Sequence, residues 1–163
     1  MEVKEIADWL SVIGWFTTGI WFIRQHFKLR QDYARIDMNA SMNQIAVNDE
    51  YNVVEVIAEV ENTGDVRHYV RDLTYTIRAS DLKNLSINTE ILNQVDLPVV
   101  IARDRRFFPP DWEYSFIDAG KKSRWRHLIL IPRSLKLFQL TVRMGYDDEE
   151  SEFHTATWFG TFA

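Results

Sequence analysis

The chain has 163 residues, 19 Lys+Arg against 24 Asp+Glu, a net charge of −5 and 46% hydrophobic residues. That mixture excludes a disordered tail, a collagen-like repeat and a low-complexity linker, and the acidic balance argues against a nucleic-acid polymer as partner. With no cysteine there is no disulfide framework, thiolate nucleophile or thiolate metal site.

Three of the six Trp fall within the first 21 positions. From Trp9 to Ile23 the chain runs for fifteen residues without a charge, roughly 22 Å as a helix at about 1.5 Å per residue. A bilayer core is ~30 Å thick. Ala7 and Phe27, with Arg24 and Lys28 snorkelling, make up most of the difference. The segment is apolar all the way round, unlike a surface helix. Trp9 and Trp21 sit near its ends, where indoles favour the headgroup region, and Trp15 and Phe22 add to the anchor. A signal peptide would start basic and carry a cleavage site, whereas this chain starts Met1-Glu2-Val3-Lys4-Glu5. An interfacial helix needs a polar face, and a buried core helix is the remaining alternative. The preferred reading is one transmembrane helix.

Lys4 is the one basic residue before the span, whereas Arg24, Lys28, Arg30 and Arg35 follow it. That asymmetry puts the short N-terminus outside and the rest in the cytoplasm. Ala7, Ser11, Gly14 and Thr18 recur at spacings that place small side chains on one face, a seam for helix self-association. Residues 24–36 continue as a basic stalk, so the chain divides into 1–36, membrane helix and stalk, and 37–163, a β-domain.

Beyond Asp37 the period becomes two. In Tyr51–Glu61, Val54, Val56, Ala58 and Val60 face one way and Glu55, Glu59 and Glu61 the other, a half-buried strand. Asn62-Thr63-Gly64-Asp65 marks a turn with a residue able to take positive φ. In Val66–Ala79, Val70 and Leu73 are out of phase, which predicts a bulge near Arg71-Asp72. Ser123–Ile131 ends at Pro132, and Leu135–Tyr146 and Glu152–Phe162 follow. Weaker strands lie around Ile36–Val47, Leu85–Leu92 and Val95–Ile101. About seven or eight short strands without intervening amphipathic helices predict an all-β, immunoglobulin-like antiparallel sandwich after the N-terminal helix.

Asp32-Tyr33-Ala34, Asn62-Thr63-Gly64, Trp112, Ala119-Gly120-Lys121 and Tyr146-Asp147-Asp148 give the chain a further likeness. It resembles a class of small bacterial inner-membrane proteins with one N-terminal span, a short basic stalk and a cytoplasmic β-sandwich. Where that class often has Thr-Pro-Ala after the turn, this chain has Val66-Arg67-His68. The resemblance implies architecture rather than chemistry. It also implies membrane-associated bacterial systems, antiphage defence among them, as a context.

No catalytic constellation emerges. His26, His68, His127 and His154 are scattered without metal-ligand spacing. Gly120-Lys121-Lys122-Ser123 lacks the upstream glycine and following helix of a phosphate loop. The acidic run Asp147–Glu152 reads as a solvated hairpin tip. The expectation is a non-enzymatic protein with no cofactor and no metal.

Two basic clusters are candidates for binding a partner or an anion. Arg103, Arg105 and Arg106 precede Phe107 and Phe108 in a turn-rich loop with exposed-looking aromatics. Lys121, Lys122, Arg124 and Arg126 open a strand around Trp125. Together at one end of the sandwich they would make a site for a small anionic ligand. Otherwise they are solvated faces, a partner-protein surface or a face toward anionic lipid. The expected partners are thus membrane lipids and another protein or identical subunits. The sequence reading is a membrane-anchored subunit that recruits or senses a partner. The alternative is a membrane-disrupting effector whose sandwich binds a signal, such as a nucleotide, and oligomerises the helices.

Overall fold

The computed structural model describes residues 13–26, 35–81, 83, 86–88, 94–146 and 153–162. Trp9, Lys28, Ala7, Ser11, the Asp32-Tyr33-Ala34 motif and the Asp147–Glu152 run lie outside the described residues. The chain divides into two compact units between Ala34 and Arg35.

In the first part, residues 13–26 form a helix, α1. Every residue of it is exposed, including Trp15 at 79%, Phe16 at 70%, Ile20 at 63% and Phe22 at 67%. Its hydroxyls turn inward on the backbone. Thr18 Oγ1 donates to the Gly14 carbonyl at 2.8 Å, and Thr17 Oγ1 to that of Ile13 at 2.9 Å. At fourteen residues α1 is about 21 Å long, and among the described residues no helix is long and apolar enough to cross a membrane.

The second part is built of antiparallel strands: β1 (Ile36–Val47), β2 (Tyr51–Asn62), β3 (His68–Ser80), β4 (Ser86–Asn88), β5 (Gln94–Asp96), β6 (Val99–Arg106), β7 (Ser115–Ile117), β8 (Lys122–Pro132), β9 (Leu137–Tyr146) and β10 (Phe153–Thr161). One sheet has the order β1-β2-β8 and the other β10-β9-β3-β6, with β7 also pairing β3 and β4-β5 forming a small ribbon. The all-β sandwich expected from the period-two pattern is present. Val54, Val56, Ala58 and Val60 from one sheet are fully buried, as are Leu73, Ile77, Phe138, Leu140, Val142 and Met144 from the other. Alternation on a pleated strand explains why these residues, and not the glutamates between them, make the core.

The break in phase within β3 is a register shift between Val70 and Asp72 against β9. It returns Leu73, Tyr75 and Ile77 to the inner face. Two expectations need correction. Arg103, Arg105 and Arg106 do not lie in a loop, because β6 continues through them. Nor does Gly64 take positive φ. Its N–H donates to Asn62 Oδ1 at 3.0 Å, and a Cβ there would sit 3.2 Å from that oxygen. Gly120 is the glycine with positive φ, at 66°.

Asn62 and Gly120 belong to one corner. Asn62, fully buried, donates from Nδ2 to the carbonyls of Val66 at 2.7 Å and Ile117 at 3.0 Å. Its backbone N–H donates to Lys121 O at 2.9 Å, and Gly120 N–H donates to Asn62 O at 2.8 Å. The side chain therefore ties the turn after β2 to the end of β7, and the backbone of the same residue ties it to the turn before β8, satisfying groups that would otherwise be buried unpaired.

Candidate functional site

The strands β6 and β8 are edges of opposite sheets, and between them lies a groove of about 850 Å³. Ile101, Ala102 and residues 105–110 form one side, residues 127–130 the other, and Tyr75 lies between. Among the described residues no Asp or Glu lines it.

Register decides what faces this groove. Ile77 pairs with Ala102, but Tyr75 pairs with Arg105, so β6 spends one extra residue across that step. The extra residue is accommodated at Asp104, whose φ of 47° is left-handed and unusual for a side-chain-bearing residue. Its N–H and Oδ1 both engage the Thr76 hydroxyl, at 3.2 and 3.3 Å. Without the bulge, Asp104 would stand opposite the inward-facing Tyr75. With it, Arg105 does. Arg106 falls opposite Thr74; it lies 3.6 Å from Asp72 Oδ1 and donates to the Trp112 carbonyl at 3.2 Å. No carboxylate among the described residues pairs with Arg105 or Arg103.

Phe107 and Phe108 correct a further expectation. They are buried, at 5% and 4% exposure, not presented to solvent. Phe107 N–H continues the ladder to Leu73 O at 2.9 Å, which directs its ring inward. The ring lies 4.8 Å from Tyr75 and 5.1 Å from His127, and Phe108 lies 5.7 Å from Trp125. His127 Nδ1 and the Tyr75 hydroxyl are 3.2 Å apart. Burial lowers the imidazole pKa below its ordinary value. The Phe107 backbone hydrogen bond opposes this and the Arg105 charge adds to it. Burial raises the Tyr75 phenol, with Arg105 acting against it. Both groups are neutral at pH 7, and the guanidiniums are the charges of the groove.

The second basic cluster goes elsewhere. Trp125, His127 and Ile129 alternate toward the interior, so Lys122, Arg124 and Arg126 project from the outer face. There they meet acids of β2: Lys122 Nζ and Arg124 Nε each lie 3.3 Å from Glu59, and Arg126 Nη1 lies 3.5 Å from Glu55. Lys121 sits in the turn before β8. The two clusters do not converge on a single anion site. On α1, Trp15, Trp21, Phe22 and Arg24, expected from the sequence to anchor it, are exposed, and Gly14 and Thr18 share one face.

Sequence reasoning singled out the arginines and phenylalanines but missed Tyr75, His127 and the apolar wall from Leu128 to Leu130. A histidine between inward Trp125 and Ile129 was the available signal. Its significance depends on Tyr75, 52 residues away. Among the described residues no three His, Asp or Glu side chains gather as a metal site.

The lowered His127 pKa has a consequence for stability. The unfolded chain takes up a proton on this ring near pH 6.5, before the folded chain does. Stability is therefore expected to be full above that pH and to fall as pH drops toward the folded value. Urea unfolding at a series of pH values should show a shallower fall for His127→Gln.

No protein-family model matches the chain, and no curated protein is similar to it.

Proposed function

We propose that the protein is a non-enzymatic binding module tethered to a membrane by its N-terminal helix, which holds the β-sandwich at the bilayer to recruit or sense a partner. The observation that carries this reading is α1, apolar around its circumference from Ile13 to Ile23 and exposed at every residue. In water such a surface costs about 25 cal/mol per Å², and contiguous exposed apolar area of this kind marks a membrane or partner contact. Its threonine hydroxyls are satisfied by its own carbonyls, as hydrocarbon surroundings demand. The uncharged run begins at Trp9, before the described helix, so the apolar segment exceeds α1 itself. The basic residues after it favour a cytoplasmic β-domain, and the inner membrane is the location proposed. We read the strand order β1-β2-β8 against β10-β9-β3-β6 as immunoglobulin-like. Confinement of the sandwich near a bilayer raises its effective concentration for another anchored component.

A second reading, a pore-forming effector, draws on the face shared by Gly14 and Thr18, which suits close helix packing. Adding the full chain to dye-loaded phospholipid vesicles separates the two. The tethered module floats with the vesicles in a density gradient and leaves the dye inside. Release of dye favours the effector, and failure to float removes both.

A further inference from the structure

We propose that the groove between β6 and β8 binds an amphipathic anion, an apolar chain ending in one carboxylate or phosphate, with the anionic group against Arg105 and the chain along Ile101, Phe107 and Ile129. This goes beyond the tether and stands on the β-sandwich alone.

Three observations converge on it. The groove, at about 850 Å³, is of the size that encloses a small organic ligand, roughly 300–1,000 Å³. Its lining is polar and apolar in about equal measure, carries two arginines and no acid, and its remaining polar groups, Tyr75 and His127, are occupied with each other at 3.2 Å. Finally, the backbone is bent to aim the cation. The left-handed Asp104 shifts β6 so that Arg105, not an aspartate, stands opposite Tyr75. Arg106 already has Asp72 and the Trp112 carbonyl, whereas no carboxylate among the described residues pairs with Arg105. A guanidinium beside apolar walls takes a carboxylate or a phosphate through paired N–H donors.

Stacking of a nucleotide base on the phenylalanines is disfavoured, because Phe107 packs on Tyr75 and His127, and Phe108 on Trp125. An extended peptide on the open edge of β8 is a separate occupant, and the test below distinguishes it.

The probes are octanoate, octyl phosphate, octanol and inorganic phosphate, titrated into the full chain in zwitterionic nanodiscs, or in plain buffer if it needs no lipid. The readout is the NMR signal of the His127 imidazole, assigned with His127→Gln. Octanoate, octyl phosphate or both shift it saturably, whereas inorganic phosphate does not. The better of the two tells whether the natural group is a free carboxylate or a phosphate of lipid type. In Arg105→Gln the affinity for the anions falls roughly 10- to 100-fold, whereas that for octanol is unchanged. Equal binding of octanol and octanoate to the native chain overturns the proposal, as does unchanged anion affinity in Arg105→Gln. A signal moved by an extended apolar peptide with which neither anion competes also overturns it, in favour of a docked strand. Because the readout is local to the sandwich, its failure leaves the tether standing, and the reverse holds.

Discussion

Replacing Asn62 by alanine is expected to destabilise the β-sandwich by about 3 kcal/mol. The side chain is fully buried and holds three hydrogen bonds, to Val66 O, Ile117 O and Gly64 N–H. Alanine removes Nδ2 and Oδ1 together and strands these backbone groups. A buried group left unpaired costs about 1–3 kcal/mol, more than a net hydrogen bond contributes. For a domain of this size the loss lowers Tm by roughly 10 °C. Thr63→Ala is the control: its hydroxyl donates to Arg35 O at 3.0 Å in an exposed setting, and a change below about 1 kcal/mol is expected. Thermal and urea unfolding of the two variants, followed by fluorescence, provide the comparison. Equal stability of the two would mean that Asn62 does not organise the corner.

The second large effect concerns α1. Phe16 and Ile20 lie one turn apart on one face, whereas Trp15 and Phe22 lie two turns apart on another. Aspartate at the centre of a membrane helix costs about 2.5–3.5 kcal/mol, and the apolar residue it replaces contributes a few tenths. The double substitution Phe16→Asp/Ile20→Asp therefore opposes insertion by roughly 6–8 kcal/mol, and Trp15→Asp/Phe22→Asp by somewhat less, because Phe22 lies toward the end of the span. In flotation assays both variants should leave the vesicle fraction for the aqueous one, while far-ultraviolet circular dichroism retains the strand signal. A helix that packs one face on a protein would respond to one pair and tolerate the other.

The clearest parts of the fold are those where alternation is unbroken. β2 and β9 follow from their apolar positions, and the β3 bulge follows from the phase slip between Val70 and Leu73. The turn at Asn62 is also visible locally, although the positive φ falls at Gly120 and not within that turn. That they form one corner is not visible, since the bonds joining them bridge 55 residues between Asn62 and Ile117. The groove was the least accessible feature. Runs of charge around Arg103–Arg106 resemble a solvated loop; only the pairing with β3 sets the exposed Arg105 beside the groove and buries Phe107. The cations of β8 show the converse. Their alternation with Trp125 and His127 was legible, but the glutamates that pair with them stand on β2, where the same alternation had placed them as outward residues.

The central claim is that lipid surrounds the N-terminal helix on every face, and the absence of cysteine from the chain makes a direct measurement simple. Single cysteines replacing Trp15, Phe16, Ile20, Trp21 and Phe22 in turn can carry a nitroxide label in the full chain mixed with phospholipid vesicles. Collision with oxygen, which concentrates in hydrocarbon, should be frequent and collision with a water-soluble nickel chelate rare at Trp15, Phe16 and Ile20, with both intermediate at Trp21 and Phe22 near the headgroups. Free access of the chelate to the three central labels, or to Trp15 alone or to the Phe16 and Ile20 pair alone, would contradict the claim.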